Sequence, residues 1–386
     1  MDLRPVAPGY GRASLAEVLP GVLATLGVPG LPDPLGLAGA LAGVRRVAVL
    51  LVDGLGYHQL GTAAPAAPTL AEVAAGRLGT LRELTCGFPS TTPTSLVTLG
   101  TGAVPGAHGI LGFTVNVPGT ARVLTHIDWG RDPDPLVWQP VPTVFGHAAR
   151  AGVTTRVVAR PEFAGSGLTT AAYGGAGYRG VTGPDALVAE LLAALAEAPP
   201  VLAYGYFGAV DAAGHTAGVG SPPWLAAVAA ADQVVTRVAQ RLPADAALLV
   251  TADHGQLVVP SAGRFDIDAD ARLAAGVAVV AGEARVRYLH AVPGATADVL
   301  AAWREVLGDA AWVASRAEAV AAGWFGPVPE AHLARVGDVV AACRGTHVVL
   351  STARERPSTA RMVGFHGSFT AAEMAVPLAV LRPGSA

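Results

Sequence analysis

The chain contains no lysine; all 26 of its Lys-plus-Arg residues are arginine. That absence excludes a Schiff-base lysine, a pyridoxal-phosphate lysine and the lysine of a phosphate-binding P-loop. Cysteine is almost missing too. Cys86 and Cys343 are the only two, too few for a disulfide framework or a thiolate zinc site; one bridge between them is the alternative to the two buried thiols expected. Charged residues make up 14% and the formal net charge is -3, so nothing electrostatic argues for a nucleic-acid polymer as partner. Long apolar runs are also absent. Val44–Val52 is short and carries Arg45 and Arg46, and nothing approaches the roughly eighteen uncharged apolar residues of a membrane span. Asp2, Pro5 and Pro8 interrupt the opening residues, which do not read as a signal peptide. A cytoplasmic protein without a membrane partner is expected; oligomeric state is not readable.

What the chain has is apolar material, 52% of 386 residues, ample for a large core. Several short Val/Leu-rich runs end at polar residues. Val47–Val52 leads into Asp53-Gly54, Val201–Phe207 toward Asp211, and Ala246–Val250 into Thr251-Ala252-Asp253-His254-Gly255; Val376–Leu381 closes the chain. Runs without alternation suit strands buried on both faces, as in a parallel sheet. Ala/Leu-rich stretches such as Pro184–Ala198 and Pro222–Arg241 have helical spacing. The expected class is α/β, a doubly wound, mostly parallel sheet with helices on both faces. Residues 258–340 read differently, as a small α+β insertion or cap that returns to the main sheet near His347–Leu350, leaving 1–257 and 341–386 as the main domain.

In such sheets ligands gather at the carboxyl ends of strands. Asp53 and the Asp253-His254 pair fall there. With Asp211, His215 and His366 they make three carboxylates and three imidazoles, a donor set that suits Zn²⁺ and accepts Mn²⁺. Asp211 and His215 are four apart and share a face if helical. Asp253 and His254 can share an ion only in an irregular turn, which Gly255 would permit. Each residue has a plainer reading: Asp-Gly as a turn, Asp253 as a helix cap, His366 as a structural histidine. Their order and placement at strand ends strengthen the set. Phe88-Pro89-Ser90-Thr91-Thr92-Pro93-Thr94-Ser95 packs hydroxyls before a helical stretch, Leu96–Thr101. It is either a cap or an exposed hydroxyl where helix N–H groups favour phosphate.

Together these motifs resemble the alkaline phosphatase superfamily, and within it the nucleotide pyrophosphatase/phosphodiesterase branch. The matching segments are Leu51-Val52-Asp53-Gly54, Phe88-Pro89-Ser90-Thr91-Thr92, Thr101-Gly102 with His108-Gly109-Ile110, Asp211-Ala212-Ala213-Gly214-His215, Thr251-Ala252-Asp253-His254-Gly255 and Gly364-Phe365-His366-Gly367. The resemblance implies two divalent ions, zinc or manganese. Asp211, His215 and His366 would hold one; Asp53, Asp253, His254 and Thr92 would hold the other. It makes Thr92, third after Phe-Pro, the nucleophile of a phosphodiester or nucleotide pyrophosphate hydrolysis through a phospho-threonine. The substrate would be a small phosphate ester or nucleotide.

One position departs from the pattern. Relatives carry an Asn three residues after His-Gly-Ile; here Phe113 stands there, with Asn116 further on. Both are candidates for substrate contact. Trp129, Trp138, Phe163 and Tyr173 are candidates for a leaving-group pocket or for packing, and Arg285 and Arg287 for a distal phosphate or a solvated face. Cys86 lacks the flanks of a sulfatase signature. A phosphomonoesterase, a phosphomutase and an inactive metal-binding homologue remain alternatives; no arginine follows Thr92 closely, and a threonine is unusual for the mutase.

Overall fold

The computed structural model describes residues 2–384. Its main sheet has seven strands, in the spatial order Thr80–Thr85, Ala375–Leu381, Ala246–Thr251, Arg46–Val52, Val201–Phe207, Thr154–Ala159 and Gly177–Gly180. Arg46–Val52 lies at the centre. Val47 to Val52 are all fully buried, which requires cover on both faces of the sheet. Pro184–Leu195 packs on Val201–Phe207 and Arg46–Val52, and Pro222–Ala239 packs on Ala246–Thr251. Both helices begin with proline at their first turn, where its missing N–H costs nothing.

Arg46–Val52 pairs in parallel with both neighbours, Val52 opposite Phe207 and Leu51 opposite Thr251. The carboxyl ends of these three strands are therefore level at one edge. The closing run, read among the parallel-type runs, proves antiparallel to both Ala246–Thr251 and Thr80–Thr85. Its amino end lies at the same edge, and so does the carboxyl end of Thr80–Thr85. Five adjacent strands thus deliver their flanking loops to one rim.

A second, antiparallel sheet has the order Val277–Glu283, Val286–Ala291, Val339–Cys343, Ala311–Ser315. Helix Thr296–Leu307 covers it, burying Val299, Trp303 and Leu307. The strand Val339–Cys343 runs past residue 340. The expected return to the main sheet near His347–Leu350 does not occur. Val348–Leu350 instead pairs with Arg264–Asp266, because a three-residue apolar strand finds its cover within the inserted segment; the chain rejoins the main sheet only at Ala375–Leu381. Cys86 and Cys343 are both free and buried. Among the described residues no helix is long and apolar enough to cross a membrane.

Candidate metal centre

Asp53 follows the central strand directly. Gly54 next to it has φ 75°, and a Cβ there would lie 2.9 Å from Asp211 Cα. The Asp-Gly turn therefore serves two ends, a left-handed backbone and close approach of the helix Ala209–Ala217, which carries Asp211 and His215. Asp253 and His254 sit beyond the strand Ala246–Thr251 in irregular backbone. Gly255 is needed there for space rather than for a left-handed φ: a Cβ would lie 2.1 Å from the Ala372 carbonyl oxygen. Thr92 is the first residue of the helix Thr92–Thr101, four residues earlier than the helical stretch read from the sequence. His366 directly follows the short strand Gly364–Phe365.

These side chains converge. His254 Nε2 lies 3.5 Å from Asp53 Oδ1, 3.4 Å from Asp253 Oδ2 and 3.2 Å from Thr92 Oγ1. His215 Nε2 lies 3.3 Å from Asp211 Oδ1 and 3.2 Å from His366 Nε2. The His254 and His366 rings stack at 3.6 Å between centroids, joining the two groups. Asp53, Asp253 and His254 offer ligand atoms within 4.8 Å of one another, and so do Asp211, His254 and His366.

The hydrogen bonds around these groups leave particular atoms free. Nδ1 of His215 faces Gly364 O at 2.8 Å, Nδ1 of His366 faces Ser90 O at 2.9 Å, and Nδ1 of His254 faces Gly255 O at 3.1 Å. A carbonyl only accepts, so each Nδ1 carries the proton and each Nε2 presents a lone pair. Two such lone pairs meet between His215 and His366, an arrangement that needs a cation between them or a proton on one ring. Burial, with the neighbouring imidazoles, holds His366 well below the usual histidine range, which disfavours the proton on that ring.

The carboxylates follow the same logic. Tyr206 donates its hydroxyl to Asp53 Oδ2, and the amides of Gly54 and His254 donate to Asp253 Oδ1, each at 3.1 Å. Asp53 Oδ1 and Asp253 Oδ2 are buried without a hydrogen-bond partner. Burial, and then the charges of Asp253 and Asp211, push Asp53 well above the usual carboxylate range; burial raises Asp253 as well. Unpaired buried anions beside imidazole lone pairs fit divalent cations. Gln256 Nε2 donates to Asp211 Oδ1 at 2.9 Å.

The centre opens into a cavity of about 950 Å³. Phe113, Phe163 and Tyr173 line it; Trp129, Trp138 and Asn116 are not among its lining residues and are buried. Asn116 thus stands away from the cavity as a buried residue of the strand Thr114–Asn116, whereas Phe113 reaches it. Trp138 packs under Arg335, 3.6 Å from the guanidinium carbon to the ring centre. Glu283, on the edge strand of the second sheet, also lines the cavity, and burial pushes its carboxyl up to about 8. Tyr206, Gln256 and Glu283 were not singled out from the sequence. Gln256 carried a signal, a polar residue just after Asp-His-Gly; Tyr206 lay hidden inside an apolar run.

Comparison with known proteins gives the geometry its context. No curated protein matches the chain by sequence. Among solved structures, murine ectonucleotide pyrophosphatase / phosphodiesterase 5 superposes with a TM-score of 0.70 at 20% identity, covering 87% of this chain and 88% of that one. An inactive variant of that protein, in complex with AMP, gives 0.71 at 19% identity, covering 88% of each chain. Phosphonoacetate hydrolase from Sinorhizobium meliloti 1021, in complex with phosphonoformate, gives 0.66 at 18% identity, covering 89% of this chain and 91% of that one. The model of the family "Type I phosphodiesterase / nucleotide pyrophosphatase" matches residues 47–369. That span runs from the central strand past His366, so the chain belongs to the type I phosphodiesterase/nucleotide pyrophosphatase family of the alkaline phosphatase superfamily.

Proposed function

We propose that this chain hydrolyses a phosphodiester or nucleotide pyrophosphate bond, with Thr92 as nucleophile and two divalent ions, zinc by preference, at the converged side chains. The observation that carries the reading is the position of Thr92. Its hydroxyl lies 3.2 Å from His254 Nε2 at the start of a ten-residue helix. Bound ions would lower the pKa of that hydroxyl and neutralise charge on the phosphoryl oxygens. Asp53, Asp253 and His254 would hold one ion beside Thr92; Asp211, His215 and His366 would hold the other.

The chain's own groups do the rest. Free N–H groups in the first turn of Thr92–Thr101 face an incoming phosphoryl group. The Thr92 oxygen attacks phosphorus in line and the leaving group departs on the opposite side. The resulting phospho-threonine is then hydrolysed by water, restoring the hydroxyl. Phe113 brings a ring where relatives have an amide donor, so backbone N–H groups carry more of the oxyanion stabilisation. The cavity suits a nucleotide-sized substrate, and Phe113 and Phe163 offer it aromatic surface. In this reading residues 258–340 act as a cap, since Val279, Val280 and Glu283 contribute to the cavity wall.

The test is hydrolysis of bis-p-nitrophenyl phosphate and p-nitrophenyl phosphate by the zinc-loaded protein. Faster diester turnover is expected. Thr92→Ala should lower turnover by at least about a thousandfold, as loss of a nucleophile does, while metal content stays close to that of the parent. Near-parental activity in Thr92→Ala would remove Thr92 from the mechanism; faster monoester turnover would make the protein a phosphomonoesterase.

A further inference from the structure

The chemistry proposed for Thr92 makes no use of the cavity's fixed positive charges. With no lysine in the chain, these are all arginines: Arg287, Arg354 and Arg356. They come from the second sheet and the segment that follows it, not from the strands that carry the metal centre. Arg354 pairs with Asp268 and Arg356 with Asp128 at the surface, and exposed pairs of this kind are weak.

Arg287 is different. Its side chain is 2% exposed. Nε donates to Val349 O at 2.7 Å, and Nη1 lies 2.7 Å from Glu355 Oε1. Nη2 is buried and has no hydrogen-bond partner. A guanidinium offers five N–H donors in a planar fork suited to carboxylate and phosphate, and an unpaired charged donor in a buried wall is costly. Arg285, two residues away on the sequence, shows the contrast. Nε and Nη2 each donate to Glu373, at 2.8 and 2.7 Å, and Nη1 to the carbonyls of Gly345 and His347; each of its three nitrogens has a partner.

Glu355, which also lines the cavity, shows what Arg287 accepts. It is a carboxylate from an irregular turn, with Oε2 receiving only the Ser351 amide at 3.1 Å. We propose that Arg287, with Arg354 and Arg356 at its side, forms a second anion subsite that binds an oxyanion on the substrate's leaving group, a second phosphate or a carboxylate, in competition with Glu355. The subsite rests on the phosphoesterase reading for its place in turnover. It favours substrates whose leaving group is itself charged.

Two substrates sharing one nucleoside 5'-phosphoryl group separate these effects: ADP, whose leaving phosphate is anionic in the substrate, and the p-nitrophenyl ester of AMP, whose aryl leaving group carries no charge until it departs as p-nitrophenolate. Arg287→Gln should lower the ratio of their kcat/KM values, ADP over ester, by at least about tenfold. Glu355→Gln should raise the same ratio several-fold. Equal losses on both substrates in Arg287→Gln, or an unchanged ratio in Glu355→Gln, would overturn the subsite. A binding measurement stands apart from turnover. In calorimetry on the metal-loaded protein, phosphonoacetate and methylenediphosphonate should bind at least about tenfold more tightly than methylphosphonate, which lacks the second anion. Arg287→Gln should abolish that advantage, and the larger of the two advantages names carboxylate or phosphate as the preferred group. An advantage that survives Arg287→Gln overturns the proposal. Should the parent hydrolyse neither ADP nor the ester, the phosphoesterase reading fails while the calorimetry still decides the subsite. Should Arg287→Gln fail to fold, Glu355→Gln decides it by raising affinity for the two-headed ligands or leaving it unchanged.

Discussion

Tyr206 directs Asp53 by a single hydrogen bond. Its hydroxyl occupies Oδ2 and leaves Oδ1 turned toward His254. Tyr206→Phe removes that donor without changing the ring, so Asp53 gains a second unpaired buried oxygen and loses its fixed rotamer. Loss of such an orienting partner typically weakens metal affinity by about 10- to 100-fold. A zinc titration of Tyr206→Phe against the parent should read a loss in that range, and unchanged affinity would mean that Asp53 is oriented by packing alone. The candidate ligands were legible in the sequence as a set, because carboxylates and imidazoles recur in order at the ends of apolar runs, although each alone has a plainer reading. The orienting groups were not. A tyrosine in Val201–Phe207 looks like core, and its hydroxyl's aim depends on the neighbouring strand, which pairing alone decides. Ser90 and Gly364 act through main-chain carbonyls, which no side-chain pattern reports.

Between elements, the most consequential contact is the pair Arg285–Glu373. Arg285 lies at the hairpin between Val277–Glu283 and Val286–Ala291; Glu373 lies in the turn Ala371–Met374, just before the closing strand. Both side chains are fully buried. Glu373 also accepts from the Ser368 amide at 3.0 Å and from the Thr370 hydroxyl. The second sheet is thereby fastened to the loop that follows His366. Removing one partner strands the other charge in the core, at a cost of about 3–5 kcal/mol, whereas replacing both with apolar residues costs much less. Urea unfolding of Glu373→Leu, Arg285→Met and the double variant should give two large losses and a smaller combined one. Additive losses would show that the charges are solvated independently. From the sequence Arg285 and Arg287 read alike, as arginines of the inserted segment; only the facing segments separate a guanidinium with a partner on every nitrogen from one with a nitrogen left unpartnered.

Across the whole molecule, the acid limb of stability should be set in part by histidines outside the candidate ligand set. His126 accepts from Trp138 Nε1 at 3.2 Å and donates to Gly112 O at 2.7 Å, and burial holds its pKa down to about 4. Burial also holds His108 well below the usual histidine range, and its ring is committed to Thr98 and to the Ile110 amide. An unfolded histidine titrates near 6.5. Between that value and about 4 the unfolded chain binds a proton that folded His126 does not. Stability from His126 is therefore complete above about pH 6.5 and falls as pH drops through this window, by up to about 3 kcal/mol. Thermal melts from pH 7.5 to 4.5 should fall less steeply for His126→Gln than for the parent. Parallel curves would assign the acid loss elsewhere.

By itself the sequence determined the α/β class and named the candidate ligands of the centre. Buried-strand runs, their alternation with helical stretches, and ligand-type residues at their ends are local properties, each readable within about ten residues. The lack of lysine and the scarcity of cysteine narrowed the chemistry by the same route. Tertiary structure decided what depends on segments far apart in the chain. The closing run Ala375–Leu381 reads as a strand, but its antiparallel placement between Thr80–Thr85 and Ala246–Thr251 follows from where the chain re-enters the sheet. That placement brings His366 to the rim shared with Asp53 and Asp253. Phe113 and Asn116, alike as candidates on the sequence, part company because one reaches the cavity and the other is buried away from it. The unpartnered Nη2 of Arg287 is visible only in the assembled fold, where Val349 and Glu355, more than sixty residues on, engage its other two nitrogens. Hydrogen-bond saturation is a property of the assembled core, and composition and spacing do not encode it.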